Sequence, residues 1–162
     1  MSDTNTNTPE PPSDRSDRRA LGFDPGREKC GIARVSLRTS AGGLATAVEE
    51  MAVVESARAI EWAIAQCRQY GVSVLAIGDG TSSKQWQTRL AAALPESVAL
   101  VRVDEYNSTQ EARDRYWELY PPRGLTRLVP AKLRSIPRPI DDIVATILVE
   151  RWAATQPRAP MP

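Results

Sequence analysis

The sequence predicts an α/β fold: a mixed five-stranded sheet, three antiparallel strands then two parallel crossovers, flanked by helices. Three observations carry this. Residues 20–54 read as three strand segments joined by short turns, the pattern of an antiparallel meander. Val72–Ile77 and Val98–Val103 are short and almost wholly apolar, as expected of strands covered on both faces. Each follows a segment of helical period, and alternation of helix and strand implies parallel crossovers.

The first strand, Ala20–Asp24, carries Leu21 and Phe23 and ends on a carboxylate. Pro25-Gly26 turns the chain at once, because Pro presets φ and Gly accepts φ > 0. Gly31–Leu37 is the second strand. The turn-like Arg38-Thr-Ser-Ala-Gly-Gly43 leads to a third, Leu44–Val54, in which the Glu49-Glu50 pair is out of keeping with a strand. Ser56–Tyr70 is predicted helical: Ile60, Ile64 and Cys67 recur at i, i+4, i+7, Trp62 and Ala63 widen that face, and Gly71 ends it. After the fourth strand comes the loop Gly78-Asp-Gly-Thr-Ser-Ser83, then a helix over Lys84–Leu94 closed by Pro95. The fifth strand ends at Asp104-Glu105. Ser108-Thr-Gln-Glu111 has the capping-box pattern and opens a third helix to about Tyr120. Pro121–Pro139 is a long proline-rich loop without an acid. Ile140–Ala154 is the last helix, with Ile143, Val144, Ile147 and Leu148 turned inward. There is no internal repeat.

Both ends differ from this middle. Residues 1–19 hold almost no large apolar group and are expected to be disordered; residues 155–162 read as a flexible tail. Residues 20–154, about 135 in all, form one unit of ordinary domain size. No stretch approaches the ~18 apolar residues of a membrane span, so no membrane partner is expected. The start lacks the basic and apolar run of a secretory signal. Cys30 and Cys67 are too few and too far apart for a metal knuckle or a redox pair. Reduced thiols and a cytoplasmic location are expected. The chain contains no histidine, which removes Ser-His-Asp and Cys-His mechanisms and imidazole-based zinc sites. Carboxylates, Lys, Tyr, Ser, Cys or a metal held by oxygen remain. The net charge of +1 decides nothing, so the distribution of charge matters more.

A lone acid at the end of a core strand is costly unless a cation or hydrogen-bond donors meet it. Asp24 is therefore a candidate metal ligand or phosphate-site residue. Leu21-Gly-Phe-Asp-Pro-Gly with Gly31-Ile-Ala33 resembles the first motif of the RuvC and YqgF/RuvX-like nucleases. Val103-Asp-Glu-Tyr-Asn-Ser-Thr109 with Glu111-Ala112 is similar to the second motif of the YqgF family. Ile140-Asp-Asp-Ile-Val-Ala-Thr-Ile-Leu148 resembles its last, an acid opening a helix of small and aliphatic residues. The resemblance spans Leu21 to Trp152. It implies the ribonuclease H-like fold, with the first strand central, the fourth beside it and the fifth next. It also implies that Asp24, Glu105 and Asp141 occupy the three acidic positions and hold Mg²⁺ or Mn²⁺. Cleaving a phosphodiester by such chemistry needs several carboxylates around a hard cation, and two ions about 4 Å apart can activate water and stabilise the leaving oxygen.

Alternatives remain at two positions. Asp141 and Asp142 both stand at a helix start, where acids also suit the dipole, and successive helical residues point ~100° apart, so one of the two faces the site. Asp79, in an Asp-Gly turn, ends the strand next to the first and can replace or join Glu105. Around these acids, Arg27 and Lys29 stand beside Asp24. Thr81, Ser82 and Lys84 open the second helix, where backbone amides suit phosphate. Arg123, Arg127, Lys132, Arg134 and Arg138 line the acid-free loop. Five phosphates neutralised there would give a log K against log salt slope of about −3.5 to −4.5. Trp86 and Trp117 are read as packing residues. The leading expectation is a metal-dependent endonuclease acting on a DNA four-way junction or on the 5′ end of precursor 16S rRNA, as a monomer or a homodimer. The alternatives are a non-catalytic nucleic-acid-binding module of the same fold and an actin-like ATP-binding domain.

Overall fold

The structure, a computed structural model, describes residues 18–40 and 42–157. β1 (Arg18–Asp24), β2 (Lys29–Ser40) and β3 (Gly43–Glu55) form the antiparallel meander. α1 (Ala59–Tyr70), β4 (Val72–Gly78), α2 (Ser83–Ala93), β5 (Ala99–Val103), α3 (Ser108–Leu119) and α4 (Asp141–Thr155) follow. Two short 3₁₀ turns, 124–128 and 131–133, punctuate the proline-rich loop. The sheet order is β3-β2-β1-β4-β5, with β4 parallel to both β1 and β5. Thus β1, the strand ending in Asp24, is central.

Alternation along β1 and β2 gives the sheet two unlike faces. Leu21, Phe23, Cys30, Ile32, Leu75 and Ile77 pack under α1 and α2 against Ala63, Cys67, Trp86 and Leu90. The opposite face is built from small side chains: Ala20, Gly22, Ala33 and Ala76 are all buried. α4 lies on this face and is covered in turn by α3, so every residue from Asp142 to Val149 is buried. A Cβ on Gly22 would strike the Ala145 carbonyl, and one on Gly31 would strike the Asp141 carbonyl. Neither glycine has a left-handed φ. They are needed for clearance, and they let α4 approach the strands to backbone distance.

Several boundaries and contacts differ from the sequence reading. β1 begins at Arg18, so Arg18 and Arg19 belong to the sheet rather than to the expected tail. Arg18 pairs with Leu37, and the Arg19 guanidinium reaches Glu49 at 3.0 Å. The remainder of the two tails, residues 1–17 and 158–162, lies outside the described residues. α1 starts at Ala59, because Ser56 is engaged elsewhere: its hydroxyl donates to the Gly26 carbonyl at 3.0 Å. The buried face of α1 is Ala59, Ala63, Gln66 and Cys67, while Ile60 is only partly covered. Gln66 turns inward because it accepts from Arg34. The capping box does not form. Asn107, at φ 60°, precedes the helix, Ser108 is its first residue, and Glu111 turns away to meet Arg151 at 2.8 Å.

The Glu49-Glu50 pair has a geometric reason. The β2–β3 register shifts there, with Arg34 opposite Glu50 and Val35 opposite Val48. Glu49 is thus the extra residue of a β-bulge, a device that re-aims side chains. Both carboxylates bond Arg34, at 2.9 and 2.7 Å, and the guanidinium lies 3.6 Å from the Tyr70 ring.

Candidate active site

The acids gather where β1 stops. Asp24 pairs with Gly31 across β1 and β2, and Gly31 is the residue on which the Asp141 backbone rests. The small-residue face therefore brings the N-terminus of α4 over the end of the central strand. Glu105 arrives from the next-but-one strand. Its carboxylate lies over Gly78 and Gly80, whose missing Cβ atoms leave the room. Asp79 Oδ1 accepts the Glu105 backbone N–H at 3.2 Å, and Arg151 holds the carbonyls on either side, Asp104 at 2.7 Å and Tyr106 at 3.0 Å.

Asp24 has no hydrogen-bond or ion-pair partner among the described residues. Its carboxyl is pushed up to about 7, mainly by burial and then by the negative charges of Asp141 and Glu105. Two acids from distant points of the chain thus act on Asp24 at the end of the central strand. Asp142 and Asp79 do not figure among the charges that act on Asp24. Asp142 is buried and ion-paired with Arg138 at 3.0 Å. Asp79 is exposed and acts on the backbone of Glu105.

This set matches a divalent cation in its donor chemistry but not in its spacing. All three groups are hard oxygen donors of one sign, and one, Asp24, is half-buried without a partner; that suits Mg²⁺ or Mn²⁺. Their side chains are grouped but not closed up. Among the described residues, no three Asp, Glu or Cys side chains stand close enough to hold a metal ion as they are placed. The donor chemistry fits, and rotation of Asp141 and Glu105 would be required to complete a ligand set.

The basic residues separate into two groups. Arg134 is committed internally: its Nε donates to the Thr126 and Val129 carbonyls at 3.2 and 2.8 Å. Arg138 is held by Asp142 and by the Pro139 carbonyl. Arg123, Arg127 and Lys132 are exposed, with no side-chain partner among the described residues. Arg27, Lys29, Thr81, Ser82 and Lys84 are exposed. Arg27 and Ser82 line, with Ser56, Gln85 and Arg89, a polar cleft of about 410 Å³. Arg89 went unread in the sequence; it lies 4.7 Å from the ring of Trp86, which itself packs on Phe23. Its spacing from Ser82, two helical turns, was the available signal.

Thermus thermophilus RuvC superimposes with a TM-score of 0.51 over 80% of this chain and 90% of that one, at 16% identity. The fold is ribonuclease H-like, of the RuvC type. A structure of T. thermophilus RuvC in complex with Holliday junction substrate aligns more loosely, with a TM-score of 0.44 at 12% identity over 85% of this chain and 97% of that one. No family model matches the chain, and no curated protein matches it in sequence. Among the described residues, no helix is long and apolar enough to cross a membrane.

Proposed function

We propose that this chain is a divalent-metal-dependent endonuclease of structured nucleic acid, of the YqgF/RuvX-like kind. The observation that carries the reading is the state of Asp24. It is a half-buried, partnerless carboxyl at the end of the central strand, its pKa raised to about 7 by loss of solvent and by two further acids. Asp24, Glu105 and Asp141 would hold Mg²⁺ or Mn²⁺, which when bound activates water and stabilises charge on the leaving oxygen. Asp24 must lose its proton to serve as a ligand, so the apparent affinity for the metal should fall as pH drops below about 7. Asp79 and Arg151 are positioning residues that fix the backbone of Glu105. Arg138 fixes Asp142 and hence the first turn of α4. Arg27 and Lys29, exposed one turn beyond Asp24, are suited to the phosphates that flank the cut.

The substrate is a four-way DNA junction or the 5′ end of precursor 16S rRNA, and two symmetric cuts in a junction would require a homodimer. Labelled junction and precursor-RNA substrates incubated with Mg²⁺ or Mn²⁺ test this directly. Cleavage of one of them, abolished by Asp24→Asn in a folded protein, is expected. An unchanged rate in that variant sinks the mechanism. The open arrangement of the three acids favours one second reading, a nucleic-acid-binding module without catalysis. Salt-sensitive binding with no cleavage under any divalent ion would establish it.

A further inference from the structure

A groove of about 710 Å³, with none of the acids in its lining, lies between α3 and the proline-rich segment 121–139. Aromatic rings line it. Tyr116 and Trp117 meet edge to face at 5.0 Å, and Tyr120 lies 4.9 Å from Tyr116. The indole N–H of Trp117 is buried and has no acceptor, the one such side-chain polar atom among the described residues. Trp117 is one of the groove-lining residues, and because buried donors are almost always paired, a small shift of this wall that opened the N–H would offer it to an acceptor from outside. Arg123, on the same wall, is exposed and without a side-chain partner, and residues 121–140 include five cations and no acid.

We infer that this groove takes one unpaired nucleobase of the substrate, with the adjoining phosphate on Arg123. The inference rests on the reading of the substrate as nucleic acid and adds where an unstacked base goes. Each feature matches a part of a nucleotide. Flat aromatic faces stack on any base, whatever its sequence. The indole N–H is donor-only and, once that shift opens it, suits a base carbonyl or ring nitrogen. The volume falls in the range of sites that enclose small ligands. Unpaired bases occur at loops, bulges and strand ends, the parts of structured nucleic acid that proteins read by stacking. Leu133, in the groove wall, and Leu125 and Leu128, in the same segment, are at least three-quarters exposed. They would suit an apolar protein partner, but cations without a single acid across the whole segment favour the polyanion.

The test uses the full-length Asp24→Asn protein in EDTA, so that cutting plays no part. A single-stranded dodecamer carrying one 2-aminopurine is titrated against the protein, beside a matched strand with an abasic site in its place. Quenching of 2-aminopurine and about tenfold weaker binding of the abasic strand are expected. Trp117→Phe keeps a ring and removes the N–H; it should weaken binding about threefold to tenfold with an unaltered melting temperature. Arg123→Gln should flatten the log K against log salt slope by about 0.7. Equal affinity for the base-containing and abasic strands overturns the inference, and that comparison needs no variant in the groove. So does a concentration-dependent dimer that competes with the strand and is lost in Leu125→Ser/Leu128→Ser. Quenching in the groove without cleavage by the wild-type protein refutes the nuclease reading alone. Cleavage without quenching refutes the groove alone.

Discussion

Replacing Asp24 with Asn should make the protein more stable while abolishing the activity proposed for it. In the folded chain the Asp24 carboxyl titrates near 7 instead of 3.8, first because it is buried and then because Asp141 and Glu105 repel its charge. The unfolded chain releases the same proton near 3.8. Between those values the unfolded state binds fewer protons than the native state, so stability falls as pH rises through the window and levels off above about 7. Roughly three pH units at 1.36 kcal/mol each set a ceiling of about 4 kcal/mol. An Asn amide in the same place has its own unsatisfied polar atoms, costing about 1–3 kcal/mol. The net gain expected at pH 8 is about 1–3 kcal/mol, a rise in melting temperature on the order of 5 °C. The gain should fade towards pH 4, where Asp24 is protonated in the native state and is regaining its proton in the unfolded one. Thermal unfolding of both proteins in EDTA from pH 4 to 9 measures this. Adding Mg²⁺ at pH 8 should then raise the melting temperature of the wild type and not of the variant. Parallel pH profiles for the two proteins, with no gain at pH 8, would refute the reasoning.

Two glycine substitutions should separate clearance from positioning. Gly31→Ala forces a methyl group against the Asp141 carbonyl, so it should cost at least 1–3 kcal/mol in a melting experiment and remove cleavage as well. Gly78→Ala meets only the end of the Glu105 side chain, so it should reduce cleavage with little change in melting temperature. Because Arg134 and Arg138 are engaged internally, changing Arg123, Arg127 and Lys132 together to Gln should flatten the salt slope of binding by about 2 to 3 rather than the 3.5 to 4.5 of five free cations. Burial raises both thiols, Cys67 to about 11, so iodoacetamide at pH 8 should modify neither until the protein is unfolded; rapid alkylation of the native protein would contradict the packing of the α1 face.

The meander and the crossovers were legible because each strand is bracketed by a turn with local chemistry, such as Pro25-Gly26 or Gly71. Asp24 was legible because an acid at the end of an apolar strand is locally anomalous. Other features depend on partners far along the chain. Glu49-Glu50 looks wrong for a strand until Arg34 stands opposite the bulge. Ser108 and Glu111 have the spacing of a capping box, but Arg151, forty residues on, claims Glu111. Arg134 and Arg138 read as solvent-facing cations because a sequence does not show that loop carbonyls and Asp142 will take them up. The small residues Ala20, Gly22, Gly31 and Ala33 were visible throughout, yet their sense as a seat for α4 emerges only once the sheet faces are assigned.

The bulge at Glu49 has a consequence for how this molecule meets others. β3 is thirteen residues long and lies at the outer margin of the sheet, so it offers a row of backbone donors and acceptors to any stray strand. Such margins template fibrils when they are long and regular. Here the extra residue falls near the middle and breaks the hydrogen-bonding rhythm into two short runs. It also draws two carboxylates, Glu49 and Glu50, to the place where the rhythm breaks, next to the half-exposed Val48. The same residue that secures Arg34 on the inner side thereby makes the outer side a poor template for a second chain.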